Sequence, residues 1–150
     1  MAVPRLCPHF HMPLQSGSNT VLGRMGRRYT ADLFAHTVEL VRERAPEASI
    51  TTDVLTGFPG ESDEEFQETY RFCLYIRFSD MHVSQYSMRP GTSAAHFQDK
   101  IDPLTKGQRG KSLLQLAKEH AKNPRPLGNT VTMTRLLQKR DGSLYGQVIC

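Results

Sequence analysis

Apolar and polar positions along the chain fall into a cycle that runs three times: an alternating stretch, a polar turn, then apolar residues at helical spacing. His9-Phe10-His11-Met12-Pro13-Leu14 alternates and opens into Gln15-Ser16-Gly17-Ser18, which predicts a short strand feeding a polar loop. Thr30 can cap a helix that places Phe34, Thr37, Val38, Val41 and Ala45 on one face and stops at Pro46. Ile50 to Leu55 reads as a second strand, ending at Gly57 and turning through Pro59-Gly60. Ser62 with Glu65 forms a capping-box pattern for the next helix, whose expected inward stripe is Phe66, Tyr70, Cys73 and Leu74. On that stripe Cys73 is a small core residue rather than a nucleophile. Met81 to Tyr86 is the third strand, followed by the turn-rich loop Ser87 to Thr92. Asp102 and Pro103 supply an N-cap and a first-turn proline for a last helix with stripe Leu113, Leu114, Ala117 and Ala121. Beyond Asn123 the texture changes: a Pro-rich linker, an alternating run from Thr130 to Leu136, a hairpin turn at Asp141-Gly142 and a return strand from Tyr145 to Ile149.

Three successive strand-loop-helix units predict a parallel α/β architecture. The loops Pro13 to Ser18, Gly57 to Ser62 and Tyr86 to Thr92 then follow the C-terminal ends of parallel strands and gather on one rim, where open sheets and barrels place their ligands. That rim carries Gln15, Ser16, Ser18, Asp53, the Gly57 to Gly60 turn, Tyr86 and Arg89. A glycine-rich turn into a helix is also a place where a ligand can approach backbone amides. The set is polar but holds no Ser-His-Asp order and no independently supported acid pair. Three units are too few to close a barrel, so both sheet edges are expected to be open.

Composition adds the setting. The 150 residues are 38% hydrophobic and 23% charged, an ordinary balance for a soluble domain with no membrane-spanning run. Cys7, Cys73 and Cys150 are an odd, widely spaced set, which argues against a disulfide framework and for a reducing cytoplasm. Cys7, His9 and His11 alternate as zinc ligands on a strand do, but Pro8 interrupts them and no partner cluster is in sight, which favours ordinary strand residues. The net charge of +4 conceals an asymmetry: from Leu104 to Arg140 there are nine Lys/Arg residues against the single acid Glu119. Such a basic end on an acidic body points to a polyanion, nucleic acid first, with a solvated helix face as the plainer alternative.

His9 to Ser18 with Val21-Leu22, Met25, Arg27 and Tyr29-Thr30 resembles the methylthiotransferase branch of radical S-adenosylmethionine enzymes. So do Thr52-Asp53-Val54 with Gly57-Phe58-Pro59-Gly60-Glu61, Glu65-Phe66 with Glu68-Thr69, and Tyr86-Ser87 with Arg89-Pro90-Gly91-Thr92 and Ala94-Ala95. Cys7-Pro8-His9-Phe10-His11 and Glu68 to Phe72 look closest to the subgroup that thiomethylates N6-threonylcarbamoyladenosine in tRNA; the isopentenyladenosine and ribosomal-protein subgroups match less well. The resemblance implies the C-terminal half of a split, TIM-like barrel over residues 1–122, a linker over 123–129, and the start of an OB-like TRAM module over 130–150. It implies S-adenosylmethionine and two 4Fe-4S clusters as cofactors, and tRNA as a partner through Lys118, Lys122, Arg125, Arg135, Lys139 and Arg140. Gln15 and Ser16 are expected near the nucleoside of S-adenosylmethionine, Arg27 on its methionyl carboxylate, and Asp53 lining the same cavity. For Arg27 the other reading is a surface arginine, in competition with Arg24 and Arg28; for Asp53 it is strand-end hydrogen bonding.

The departure from the family lies in the cysteines. A radical-type cluster needs three thiolates written Cys-x-x-x-Cys-x-x-Cys, whereas no two cysteines here are closer than 66 positions. The expectation is a chain inactive alone, whose partner is the missing N-terminal half of the enzyme. A tRNA-binding remnant without chemistry is the alternative.

Overall fold

A computed structural model describes residues 8–97, 99–123, 134–138 and 144–148. Its centre is strand β2, Ser49–Thr56, which alternates strictly so that Ile50, Thr52, Val54 and Thr56 are buried and the residues between them are half-buried. β1, His9–His11, and β3, Asp80–Gln85, pair with it on either side, both parallel, giving the order β1-β2-β3. The predicted first strand runs to Leu14, but β1 stops at His11. Pro13 has no N–H to give the ladder, and the Thr52 hydroxyl takes over, donating to the Met12 carbonyl at 2.7 Å and accepting from Leu14 N–H at 3.0 Å.

Three long helices cover one face of this sheet: α2 (Ala31–Arg44), α3 (Asp63–Ile76) and α4 (Pro103–Lys122). Each begins where its sequence cap predicts. Thr30 accepts from Leu33 N–H, Ser62 and Glu65 complete a reciprocal capping box, and Asp102 accepts from Thr105 N–H. A continuous core joins Phe34 and Val38, Ile50 and Val54, Phe66, Cys73 and Ile76, Phe78 and Met81, and Leu113, Leu116 and Ala117. Cys73 sits fully inside it, and burial pushes its thiol up to about 12.

The expected stripes need correction in phase. On α3, Leu74 is 48% exposed while Thr69 and Ile76 turn inward; Tyr70 only leans on the core. On α4, Leu114 is 44% exposed and Ala121 is also exposed, while Leu116 and His120 are buried. His120 packs with neither ring nitrogen hydrogen-bonded among the described residues, and burial lowers its pKa. A six-residue helix that the periodicity does not announce, α1 (Asn19–Arg24), buries Val21 and Leu22. A short 3-10 turn, Ser93–His96, precedes α4.

β4, Thr134–Gln138, and β5, Leu144–Val148, form an antiparallel pair, shifted from the predicted runs; the expected turn at Asp141-Gly142 and the linker over 124–129 lie outside the described residues. No helix among the described residues is long and apolar enough to cross a membrane.

Candidate functional site

Because β1, β2 and β3 are parallel neighbours, the chain leaves all three at the same edge of the sheet. The first bend is sewn to β2: Gln15 N–H donates to the Asp53 carbonyl and Leu55 N–H to the Gln15 carbonyl, both at 2.9 Å, with Gln15 held at φ 68°. Ser16 is fully buried. Its hydroxyl lies 2.9 Å from the Thr69 hydroxyl and accepts from Ser18 N–H at 3.1 Å, while Gly17 N–H donates to Thr69 at 3.1 Å. Ser16 thus offers the rim position rather than a free side chain, and Thr69 on α3 is the anchor for this bend.

The second bend, Gly57 to Glu61, satisfies itself. Glu61 has no exposed surface on its side chain and accepts from Gly57 N–H at 2.8 Å. At the start of α3 the Ser62–Glu65 box occupies the Ser62 and Glu65 N–H groups. At Gly57 itself the expected approach of a ligand to the backbone is blocked: a Cβ there, at φ +70°, would overlap the aliphatic stem of Lys106, so this glycine makes room for a lysine.

The third bend joins the second through rings. Tyr86 N–H donates to the Thr56 carbonyl at 2.8 Å, and Phe58 packs edge-on against Tyr86 at 5.3 Å and Phe97 at 6.1 Å. Arg89 stays exposed beyond it.

Behind this rim lies the face of the sheet that no described helix covers, and it is polar. Thr51 Oγ1 is 3.0 Å from His11 Nδ1 and 3.3 Å from His9 Nε2, and His11 Nε2 is 3.2 Å from Asp53 Oδ2. The last contact is an ion pair only when His11 is protonated. His82 stands beside Asp53 in register on β3. Asp53 thus has a hydrogen-bonded partner and keeps 34% of its side chain exposed. This row of imidazoles, hydroxyl and carboxylate can bind a polar ligand through several donors and acceptors.

The remaining expected residues disperse. Arg27 is exposed and makes no ion pair among the described residues; Arg24, its competitor, pairs with Glu65 at 2.6 Å. Lys118 and Lys122 are exposed on α4. They lie at the end of the helix where Arg77 donates to the Asn123 carbonyl, far from the rim. Two of the nine bases counted towards a polyanion footprint turn inward instead. Lys106 donates to the Tyr86 carbonyl at 3.1 Å, and Arg109 is buried against Glu61 and Asp63. No local sequence signal marks that switch, because the partners are 20 to 48 residues away. Arg125, Lys139 and Arg140 lie outside the described residues, and Arg135 falls within β4. Cys7 is likewise outside them. No group of three His, Cys, Asp or Glu able to hold a metal occurs among the described residues. Two open depressions lie elsewhere, one lined by Glu39, Arg42 and Tyr75, the other by Asn19, Glu68 and Arg71.

Comparison with known proteins gives a match of residues 3–73 to the radical SAM superfamily. A threonylcarbamoyladenosine tRNA methylthiotransferase of Bacillus subtilis is 46% identical over 78% of this chain and 27% of its own length. One from Thermotoga maritima is 43% identical over 80% of this chain and 27% of its own length. A tRNA-2-methylthio-N(6)-dimethylallyladenosine synthase of Desulfotalea psychrophila is 47% identical over 69% of this chain and 23% of its own length. The chain spans about a quarter of the length of these curated relatives.

Proposed function

The chain belongs to the radical S-adenosylmethionine methylthiotransferase family, and on that premise we propose that it is the part of a tRNA-modifying enzyme that orients the nucleoside of S-adenosylmethionine. The observation that supports this is the convergence of three strand-end bends beside an uncovered polar face. Asp53, Thr51 and Gln15 are the groups available to ribose hydroxyls and adenine edges; Ser16 holds the first bend in place from below, and Arg27 is assigned to the methionyl carboxylate, with Arg28 the other exposed cation on the loop after α1. The donor set fits a nucleoside. It does not fit an iron–sulfur cluster: Cys73 is a core thiol pushed up to about 12, and the three cysteines are dispersed. Cluster ligands, and the radical chemistry they support, are accordingly assigned to polypeptide other than these residues, and activity of this chain alone is not expected. S-adenosylmethionine supplies the radical precursor in such enzymes; what these residues do is bind and orient it.

The substrate within this reading is N6-threonylcarbamoyladenosine in tRNA, favoured by the Cys7–His11 and Glu68–Phe72 resemblance and named in the Bacillus and Thermotoga relatives; dimethylallyladenosine, in the names of the Desulfotalea relative and of several others, is the competing one. Lys118 and Lys122 of α4, Arg125 of the linker, and Arg135, Lys139 and Arg140 of the TRAM-like stretch are assigned to the tRNA backbone. Titrating the chain with S-adenosylmethionine while following backbone amide resonances tests the cofactor reading. Shifts at Gln15, Asp53 and Gly57 are expected; none, or shifts confined to the outer surfaces of α2 and α3, would refute it.

A further inference from the structure

The first half of α4 grips both of the later bends. Arg109 Nη1 donates to the main-chain oxygen of Glu61 at 3.0 Å and to Glu61 Oε2 at 2.8 Å, while Nη2 donates to Asp63 Oδ1 at 2.7 Å. The same carboxylate oxygen of Glu61 accepts from Gly57 N–H at 2.8 Å. The guanidinium lies 5.4 Å from the centre of the Phe66 ring. One helical turn earlier, Lys106 crosses Gly57 with its stem, donates to the Tyr86 carbonyl at 3.1 Å and stands 5.4 Å from the Tyr86 ring.

Stability is a weak reason for such an arrangement. A buried ion pair seldom outperforms well-packed apolar side chains of the same volume, because both charges lose their hydration. Here the fit is also incomplete, since Glu61 Oε1 and Arg109 Nε are buried without partners among the described residues. What an apolar pair could not supply is the set of contacts that end on main-chain atoms: Gly57 N through Glu61, Glu61 O, and Tyr86 O. These are the backbone atoms on either side of the end of β2, the strand that carries Asp53.

We infer that Lys106 and Arg109 are positioning residues that lock the Gly57–Glu61 turn and the Tyr86 bend into one fixed rim, so that α4 sets the geometry in which a nucleoside is held. This rests on the cofactor reading above and adds to it a helix that touches no ligand.

The test combines native-state amide exchange with the S-adenosylmethionine titration, on the full chain. Replacing the ionic pair by neutral groups, Arg109→Met with Glu61→Gln, keeps an acceptor for the Gly57 N–H and is expected to leave the melting temperature within a few degrees of the parent. S-adenosylmethionine affinity should nevertheless fall at least about tenfold, a loss that a merely structural pair would not show at unchanged stability. Arg109→Lys keeps the charge and loses the planar fork. It should speed exchange at Gly57, Gly60 and Glu61 about tenfold while Val54 and Leu55 stay protected. If the double variant does not fold, Arg109→Lys and Lys106→Met carry the same two readouts. Parent-like exchange at the turn, or parent-like affinity with the turn loosened, would each overturn the inference. A parent chain that shows no response to S-adenosylmethionine would instead sink the cofactor reading, and exchange alone would then decide whether α4 locks the rim.

Discussion

Gly57 offers a sharp test of how closely α4 is seated. Gly57→Ala meets two obstacles: a left-handed backbone at φ +70° and the stem of Lys106 where the new methyl must go. The backbone term is about 1–2 kcal/mol for a residue with a Cβ. Displacing Lys106 forfeits its hydrogen bond to the Tyr86 carbonyl, about 0.5–1.5 kcal/mol, and a partly exposed cation–π contact of about 0.5–1 kcal/mol. The total is about 2–4.5 kcal/mol, before a small offset from the stiffer unfolded chain. Gly26 is the internal control. It has the same φ of +70° with nothing within 4 Å of its missing Cβ, so Gly26→Ala carries the backbone term alone. Urea unfolding with unchanged m-values should therefore give Gly57→Ala a penalty about 1–2.5 kcal/mol larger than Gly26→Ala. In a Lys106→Ala background the excess should vanish, which a double-mutant cycle reads as coupling. Equal penalties for the two glycines, or an excess that survives loss of the lysine stem, would show that α4 does not press on this turn.

Three further outcomes follow from other contacts. Burial works against ionisation of Glu65, yet the Arg24 hydrogen bond and the Ser62 N–H together hold its carboxyl below the usual range. As pH falls through that depressed value the unfolded chain has already bound its proton, so stability contributed above about pH 4.3 is lost. Glu65→Gln should flatten this acid slope in urea midpoints, and an unchanged slope would contradict the assignment. With Cys7→Ser and Cys150→Ser in place, the Cys73 thiol should resist a maleimide at pH 8 in native buffer and react once urea unfolds the core; rapid native labelling would place it outside the core. If the exposed face of α4 meets tRNA, Lys118→Glu with Lys122→Glu should weaken filter binding and reduce the salt slope by roughly 1–2, whereas an unaltered slope would move the contact elsewhere.

What could be read in the letters was mostly local. The Thr30, Ser62 and Asp102 caps depend on residues within one turn, and each forms as its sequence requires. The parallel order follows from the succession of elements alone. Helix phase was harder, because α3 and α4 carry apolar residues on more than one side. Leu74 and Leu114 are as apolar as Ile76 and Leu116, and only the position of the sheet decides between them. α1 is too short for a period to show. Within the site, Gln15 is legible as a residue just past a strand; Asp53 is legible as a polar residue on a strand, but it lies mid-strand in β2 rather than near its end. The His9–Thr51–His11–Asp53 row is not legible, because it needs the register between β1 and β2. Arg109 was misread for the same kind of reason: nothing near it in the chain reveals that a carboxylate 48 positions earlier is waiting inside.

The orientation of α4 has a consequence for scale. Its opening turns touch the rim, and its last turn reaches the opposite edge of the sheet, where Arg77 meets Asn123. From Arg109 to Lys122 the helix axis advances about 20 Å at 1.5 Å per residue. α4 is therefore a ruler of fixed length. Anything resting on Lys118 and Lys122 is thereby set back about 13–20 Å along the axis from the turns that grip the rim.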